Sequence, residues 1–261
     1  MNRHSFTNLY PITSFLILIN IGFFALQCIS ERKLGLDPGR VMLDLGAIHG
    51  GSIYTGDYWR LISGTFLHGN VLHVAMNCMV LLDLGRFCEP RLSKSKFFSI
   101  YMLSALGGSI SSYSWPALSQ QTASLPETVS ILLGQETVTE LGAATMKFVG
   151  HMSVGCSGAL AGLIGLMLVY SIKERHAALR AGMLRWILFI GLITYFLPAV
   201  DHAGHLGGFL IGGVCGLTVT DFATSKTSIR WRIPAGLTGL AMIASLGMAV
   251  YNFGEHHWGW N

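Results

Sequence analysis

Four polar side chains set among apolar residues carry the chemistry this chain can do: Ser157, His205, His73 and Asn77. A serine hydroxyl is a weak nucleophile at neutral pH and needs a base within about 2.6–3.2 Å. Histidine is the side chain whose charge change falls nearest neutral pH, so His205 is the candidate base. His73 and Asn77 stand four residues apart, which puts them on one face of a helix. Their N–H groups are the kind of donor that stabilises a developing oxyanion. Each residue also has a plainer reading: a helical serine bonding back to its own backbone, a helix-end histidine bonded to a loop carbonyl, and a His/Asn pair satisfying itself. Chemistry gains ground because ionisable groups inside a bilayer are costly and are functional by default. It gains more if all four groups share one depth, which depends on the spans that carry them.

The 261 residues are 51% hydrophobic and 11% charged, against roughly 25% charged in an ordinary soluble domain. That composition predicts an all-α polytopic transmembrane helical bundle, organised as a single integral membrane domain over 1–261. Hydropathy places spans at about 11–29, 67–87, 97–115, 153–171, 186–198 and 202–220, with an extra span at about 233–251. The first is read as a retained span, because no small-residue cleavage site follows it. The net charge of +4 is modest and gives no support for nucleic-acid binding. Cys28, Cys78, Cys88, Cys156 and Cys215 lack C-x-x-C spacing and read as small apolar residues rather than a disulfide framework or a zinc site.

Two connections stand out. Residues 30–68 are too long and turn-rich for a simple link; within them Tyr58-Trp59-Arg60 suggests an interfacial loop, with Arg60 reaching a headgroup or a carboxylate. The stretch 116–150 is rich in Gln, Thr and Ser, and Val129 to Leu133 within it suit a short interfacial turn.

Charge orients the bundle. With the N-terminus cytoplasmic, that side holds Arg3, four basic residues after the second span, four after the fourth and three after the sixth; the other side holds Arg32, Lys33, Arg40, Arg60 and Lys147. The positive-inside rule selects this arrangement, with the C-terminus outside. Ser157, His205, His73 and Asn77 then all fall near the non-cytoplasmic ends of their helices. Glycine supplies the means of approach. Gly204, Gly208, Gly212 and Gly216 form an every-fourth-residue stripe, and Gly158, Gly162 and Gly165 lie on a comparable face. Small-residue stripes let helix backbones pack closer than the usual 8–10 Å or so, which would bring Ser157 to His205. Asp201 is assigned to the start of the sixth span, where a carboxylate suits the helix dipole.

Taken in order, Trp59-Arg60, His68 with His73-x-x-x-Asn77, Gly85, Glu89, Gly155-x-Ser157-Gly158 and Ala203-Gly204-His205-Leu206-Gly207-Gly208 resemble the rhomboid intramembrane serine proteases, in a six-plus-one form. The resemblance implies a Ser157–His205 dyad without a third acid. It also implies an oxyanion site of His73, Asn77 and the Ser157 amide, and motif roles for Trp59, Arg60, Glu89, Gly155, Gly158, Gly208 and Gly212. No cofactor and no metal are implied. The partners it implies are the lipid bilayer and single-span transmembrane substrates, cut near the non-cytoplasmic end at small residues. Short tails without a transit-like N-terminus suggest a bacterial cytoplasmic (inner) membrane. Two features depart from many relatives: Ala161 stands where an aromatic packs against the histidine, and the 116–150 loop is longer, with substrate contact or gating as its expected role. Against the protease stand three other readings. An inactive rhomboid-like client-binding protein typically lacks the serine or histidine. A transporter would need an internal repeat. A metalloprotease would need H-E-x-x-H, which is absent, and His202-x-x-His205 has no obvious third ligand.

Overall fold

The computed structural model describes residues 10–121, 152–195, 200–219 and 229–259. The long apolar stretches form helices: α1 (Pro11–Leu34), α5 (Val71–Cys88), α6 (Lys94–Gln121), α7 (Ser157–Lys173), α8 (Ala177–Tyr195), α9 (His202–Thr218) and α10 (Ile229–Trp258). Among the described residues, α1, α5 and α10 are each long and apolar enough to cross a membrane. Large apolar side chains such as Leu18, Leu188 and Leu240 are exposed on α1, α8 and α10. In water such surfaces would be a liability; against lipid they need no cover. The chain is an integral membrane protein built as a helical bundle.

Helices α6 and α10 overrun their apolar windows at both ends, whereas α5 and α7 begin four residues inside theirs, at Val71 and Ser157. The largest difference is α8, which begins at Ala177, nine residues before the span expected at 186–198. Ala, Leu and Arg are strong helix formers, so the helix continues through Arg180 and Arg185, which hydropathy assigns to a connection. The remainder of the 116–150 loop beyond Gln121, with its turn at Val129 to Leu133, lies outside the described residues, as does the end of the fifth span.

The first connection is a structured layer. It contains α2 (Pro38–Asp44), strand β1 (Ile48–His49), α3 (Gly50–Tyr54), α4 (Arg60–Ser63) and a 3-10 turn at Gly64–Phe66. Strand β1 pairs antiparallel with β2 (Met152–Ser153), Ile48 opposite Ser153 and His49 opposite Met152. Arg60 points inward and is buried. Its Nε donates to Asp57 Oδ2 at 3.0 Å, an Nη donates to the Leu43 carbonyl, and the guanidinium lies 4.6 Å from the Trp59 ring centroid. Of the two roles expected for Arg60, it takes the carboxylate and holds the layer together. Helix α10 packs on α6 and on this layer: Ser245 Oγ donates to the Trp59 carbonyl, Asn252 Nδ2 to the Asp44 carbonyl, and Phe253 is buried among Val41, Leu45, Ala47 and Leu67.

Glu89 anchors the start of α1, whose N-cap residue Tyr10 makes no side-chain capping bond. Its carboxylate accepts from the Ile12 and Thr13 amides at 2.8 and 2.9 Å and from Thr13 Oγ1 at 2.6 Å. Gly85, one turn earlier, leaves room for Thr13: a Cβ there would lie 2.3 Å from Thr13 Oγ1. Because Glu89 is buried, Glu89→Ala strands three donors and is expected to cost about 3 kcal/mol, read as a lower melting temperature in detergent. All five cysteines are free thiols, with Cys88, Cys156 and Cys215 buried.

Candidate active site

Helices α7 and α9 meet backbone to backbone. An added Cβ on Gly208 would lie 2.0 Å from the Gly158 carbonyl oxygen, and one on Gly212 would lie 1.9 Å from that of Gly162. The two stripes therefore face each other as expected. A third helix, α6, joins them through Gly107 and Gly108. A Cβ on Gly108 would come within 2.9 Å of the Gly204 carbonyl and 3.2 Å of Gly158 Cα, and one on Gly207 within 2.6 Å of the Gly107 carbonyl. The junction of α6, α7 and α9 is built from glycines on all three.

On the rim of that junction His205 Nε2 lies 2.8 Å from Ser157 Oγ. Ser157 is the first residue of α7, and Cys156 before it provides no side-chain cap. The Ser157 amide is thus one of those at a helix start with no intrahelical acceptor. Asp201 is the N-cap of α9, accepting from the Gly204 amide at 2.8 Å. This is the helix-start role expected of it, and it orients the turn that carries His205. Ala161, one turn after Ser157 on α7, is half-buried.

His73 and Asn77 converge on Gly155, two residues before Ser157. A Cβ on Gly155 would fall 2.8 Å from His73 Cε1, 2.9 Å from its Nε2 and 3.3 Å from Asn77 Nδ2. Gly155 has φ +116°, a conformation side-chain-bearing residues rarely adopt, and its amide donates to the Gly64 carbonyl at 2.9 Å. Both conditions call for glycine. The α5 start is capped by Asn70, whose Oδ1 accepts from the His73 amide at 2.9 Å, so His73 is held from its backbone. Its ring Nδ1 accepts from the Gly69 amide at 3.4 Å. A neutral ring accepting at Nδ1 carries its hydrogen on Nε2, the nitrogen turned toward Gly155. Asn77 Nδ2 is buried with no hydrogen-bond partner among the described residues. A buried donor left open is rare and costly, and it marks a place where an acceptor is missing.

Sequence reasoning named His68 only as part of a motif. It is fully buried, its ring edge-on to His73 at 5.0 Å between centroids, with Nε2 4.0 Å from Cys156 Sγ. It thereby backs both the ring of His73 and the residue preceding Ser157. Nothing in the local pattern signalled this, because the contact joins segments 88 positions apart.

Fold and site together define a polytopic helical membrane protein with a serine and a histidine in hydrogen-bond contact at a three-helix junction. Residues 55–222 match the Rhomboid domain family, and the chain belongs to that family. Among curated proteins it is 28% identical over 221 residues to the Rhomboid protease AarA of Providencia stuartii, covering 78% of this chain and 70% of that one. It is 32% identical over 206 residues to the RHOMBOID-like protein 5 of Arabidopsis thaliana, covering 76% of this chain and 56% of that one. It is 26% identical over 198 residues to the Rhomboid protease GluP of Bacillus subtilis, covering 73% of this chain and 32% of the relative. The match thus spans about half the length of the plant relative and a third of GluP.

Proposed function

We propose that this chain is an intramembrane serine endopeptidase with a Ser157–His205 dyad. The observation that carries the reading is the 2.8 Å contact between Ser157 Oγ and His205 Nε2. Family membership and the protease relatives support it. In this mechanism Ser157 Oγ attacks the scissile carbonyl carbon while its proton passes to His205 Nε2. The tetrahedral oxyanion is held by the Ser157 amide, His73 Nε2–H and Asn77 Nδ2–H, preorganised donors where negative charge develops. Collapse expels the amine of the new N-terminus, which takes the proton from His205. Water, deprotonated by the same imidazole, then hydrolyses the acyl-enzyme and regenerates the hydroxyl. The unpartnered Asn77 amide fits this scheme, since its acceptor arrives only with the reacting carbonyl.

The substrate is a single-span transmembrane protein cut near its non-cytoplasmic end, where small residues let a helix unwind. Helix α7 has 17 residues, a length of about 25 Å at 1.5 Å per residue, against a hydrocarbon core of about 30 Å. Its N-terminus, and Ser157 with it, therefore lies below the bilayer surface when its basic C-terminal end reaches the cytoplasmic face. The site works within a single membrane domain, with the N-terminus cytoplasmic, the C-terminus outside and no metal or cofactor. In a bacterium it would sit in the inner membrane. The 116–150 loop, on the active side, contacts or gates substrate.

Purified protein in detergent, incubated with a single-span substrate and with a fluorophosphonate probe, tests the assignment. Cleavage with covalent labelling of Ser157 is expected; cleavage without labelling at Ser157 counts against it, and tight substrate binding without cleavage favours an inactive client-binding protein. His73→Ala and Asn77→Ala are each expected to lower kcat by roughly 10²- to 10³-fold, the typical worth of one oxyanion donor, with less change in KM. Measured initial rates on the same substrate check this.

A further inference from the structure

A second contact ties together the two segments that carry Ser157 and His205. Ser153 Oγ donates to Asp201 Oδ2 at 2.7 Å, while Asp201 Oδ1 accepts from the Gly204 amide at 2.8 Å. Ser153 precedes Ser157 by four residues and Asp201 precedes His205 by four, so the upper contact repeats the lower one a step along each chain. Ser153 closes β2, which pairs with β1 of the first connection. Asp201 stands at the mouth of α9. Ser153, Asp201, Ser157 and His205 all line one small cavity at the α6–α7–α9 junction.

We infer that the Ser153–Asp201 hydrogen bond is a clamp that sets the distance between nucleophile and base, making both of them positioning residues for the reaction. The inference rests on the reading of Ser157 as nucleophile and His205 as base. Two observations carry it beyond ordinary capping. First, Asp201 needs only one oxygen to cap α9, and spends the other on a strand outside its own helix. Second, the residues between Ser153 and Ser157 include Gly155, whose φ of +116° places no side chain to brace the turn. The turn that aims Ser157 is held by the Gly155 amide bond to Gly64 and, at its outer end, by this carboxylate. A hydrogen bond to an ionised acceptor is among the stronger kind, and small displacements of a nucleophile from its base carry large rate penalties.

The decisive variant is Ser153→Ala, which cuts the clamp and leaves the Asp201 cap intact. Steady-state cleavage of a single-span substrate would be measured for the wild type, Ser153→Ala, Ser153→Thr, Asp201→Asn, the Ser153→Ala/Asp201→Asn pair and Ser157→Ala, with melting temperatures alongside. For Ser153→Ala the clamp predicts kcat lowered roughly tenfold, with KM within about twofold of wild type and a parallel fall in fluorophosphonate labelling rate. Ser153→Thr, which keeps the hydroxyl, restores most of the rate. The double variant is no slower than Ser153→Ala alone, because alanine at 153 has already removed the contact and asparagine at 201 keeps the cap of α9 through its Oδ1. Wild-type kcat in Ser153→Ala, failure of Ser153→Thr to rescue, or losses that multiply in the double variant would overturn the clamp. If Ser157→Ala cleaves like the wild type, the dyad itself is refuted and the clamp falls with it. A wild type sensitive to Ser157→Ala but indifferent to Ser153→Ala overturns the clamp alone.

Discussion

Ser157→Ala and His205→Ala are each expected to reduce substrate cleavage by on the order of 10⁵-fold, the scale seen when one member of a serine–histidine unit is removed. Alanine at 157 leaves no atom to form the acyl-enzyme. Alanine at 205 leaves the hydroxyl with no base at 2.8 Å and the leaving amine with no proton donor. The double variant is expected to be no slower than either single one, because the two side chains act as a unit. Both residues are half-buried at the rim of the junction rather than in its packed centre, so melting temperatures should stay within a few degrees of wild type. Rates measured on one substrate, with unfolding followed in the same detergent, check both halves of the expectation. A 10-fold loss or less at either position would be incompatible with the dyad.

Gly212→Val should do comparable damage by a different route. The site needs α7 and α9 in backbone contact, and Gly212 lies one turn beyond Gly208 in the same seam. A Cβ there would sit 1.9 Å from the Gly162 carbonyl oxygen and 2.4 Å from its carbon. To reach an ordinary contact of roughly 3.5 Å the helices must part by about 1.5 Å. The obstructing atoms are backbone, so no rotamer change relieves the overlap. Overpacking of this kind costs about 3 kcal/mol. It also moves the helix that carries His205 away from the one that carries Ser157. We expect a melting temperature lowered by many degrees and loss of nearly all cleavage. Gly247→Ala is the control: a Cβ on Gly247 of α10 meets nothing within 4 Å, and alanine favours the helix, so stability and activity should be unchanged or slightly improved. Equal effects of the two substitutions would show that the seam tolerates separation.

These two experiments probe one physical fact from both sides. Lipid offers no hydrophobic drive to hold helices together, so close packing and a few polar contacts must do it. The glycine seam brings the backbones within reach, and side chains on its rim gain hydrogen-bond distances that ordinary helix separations would deny them. The layer formed by the first connection adds a second constraint, through the β1–β2 pairing and the Gly155–Gly64 bond, on the turn that aims Ser157.

Much of this was legible in the residues themselves. Apolar stretches of about 20 residues announce helices whatever they pack against, because only a helix satisfies its own backbone in lipid. The glycine stripes, spaced to fall on one face of each helix, predicted which faces of α7 and α9 meet, and the residue types at 157, 205, 73 and 77 suggested the chemistry proposed for them. The boundaries of α8 were less legible, because hydropathy reads apolarity and a helix is free to extend through arginines. What the sequence could not decide were contacts between segments far apart in the chain. That Arg60 turns inward to the Leu43 carbonyl, that His68 lies against Cys156, that α6 completes the junction and that Ser153 reaches Asp201 are outcomes of packing. Periodicity along one helix says which face is small or polar, but the partner for that face is chosen only when all the helices and the first connection are assembled together.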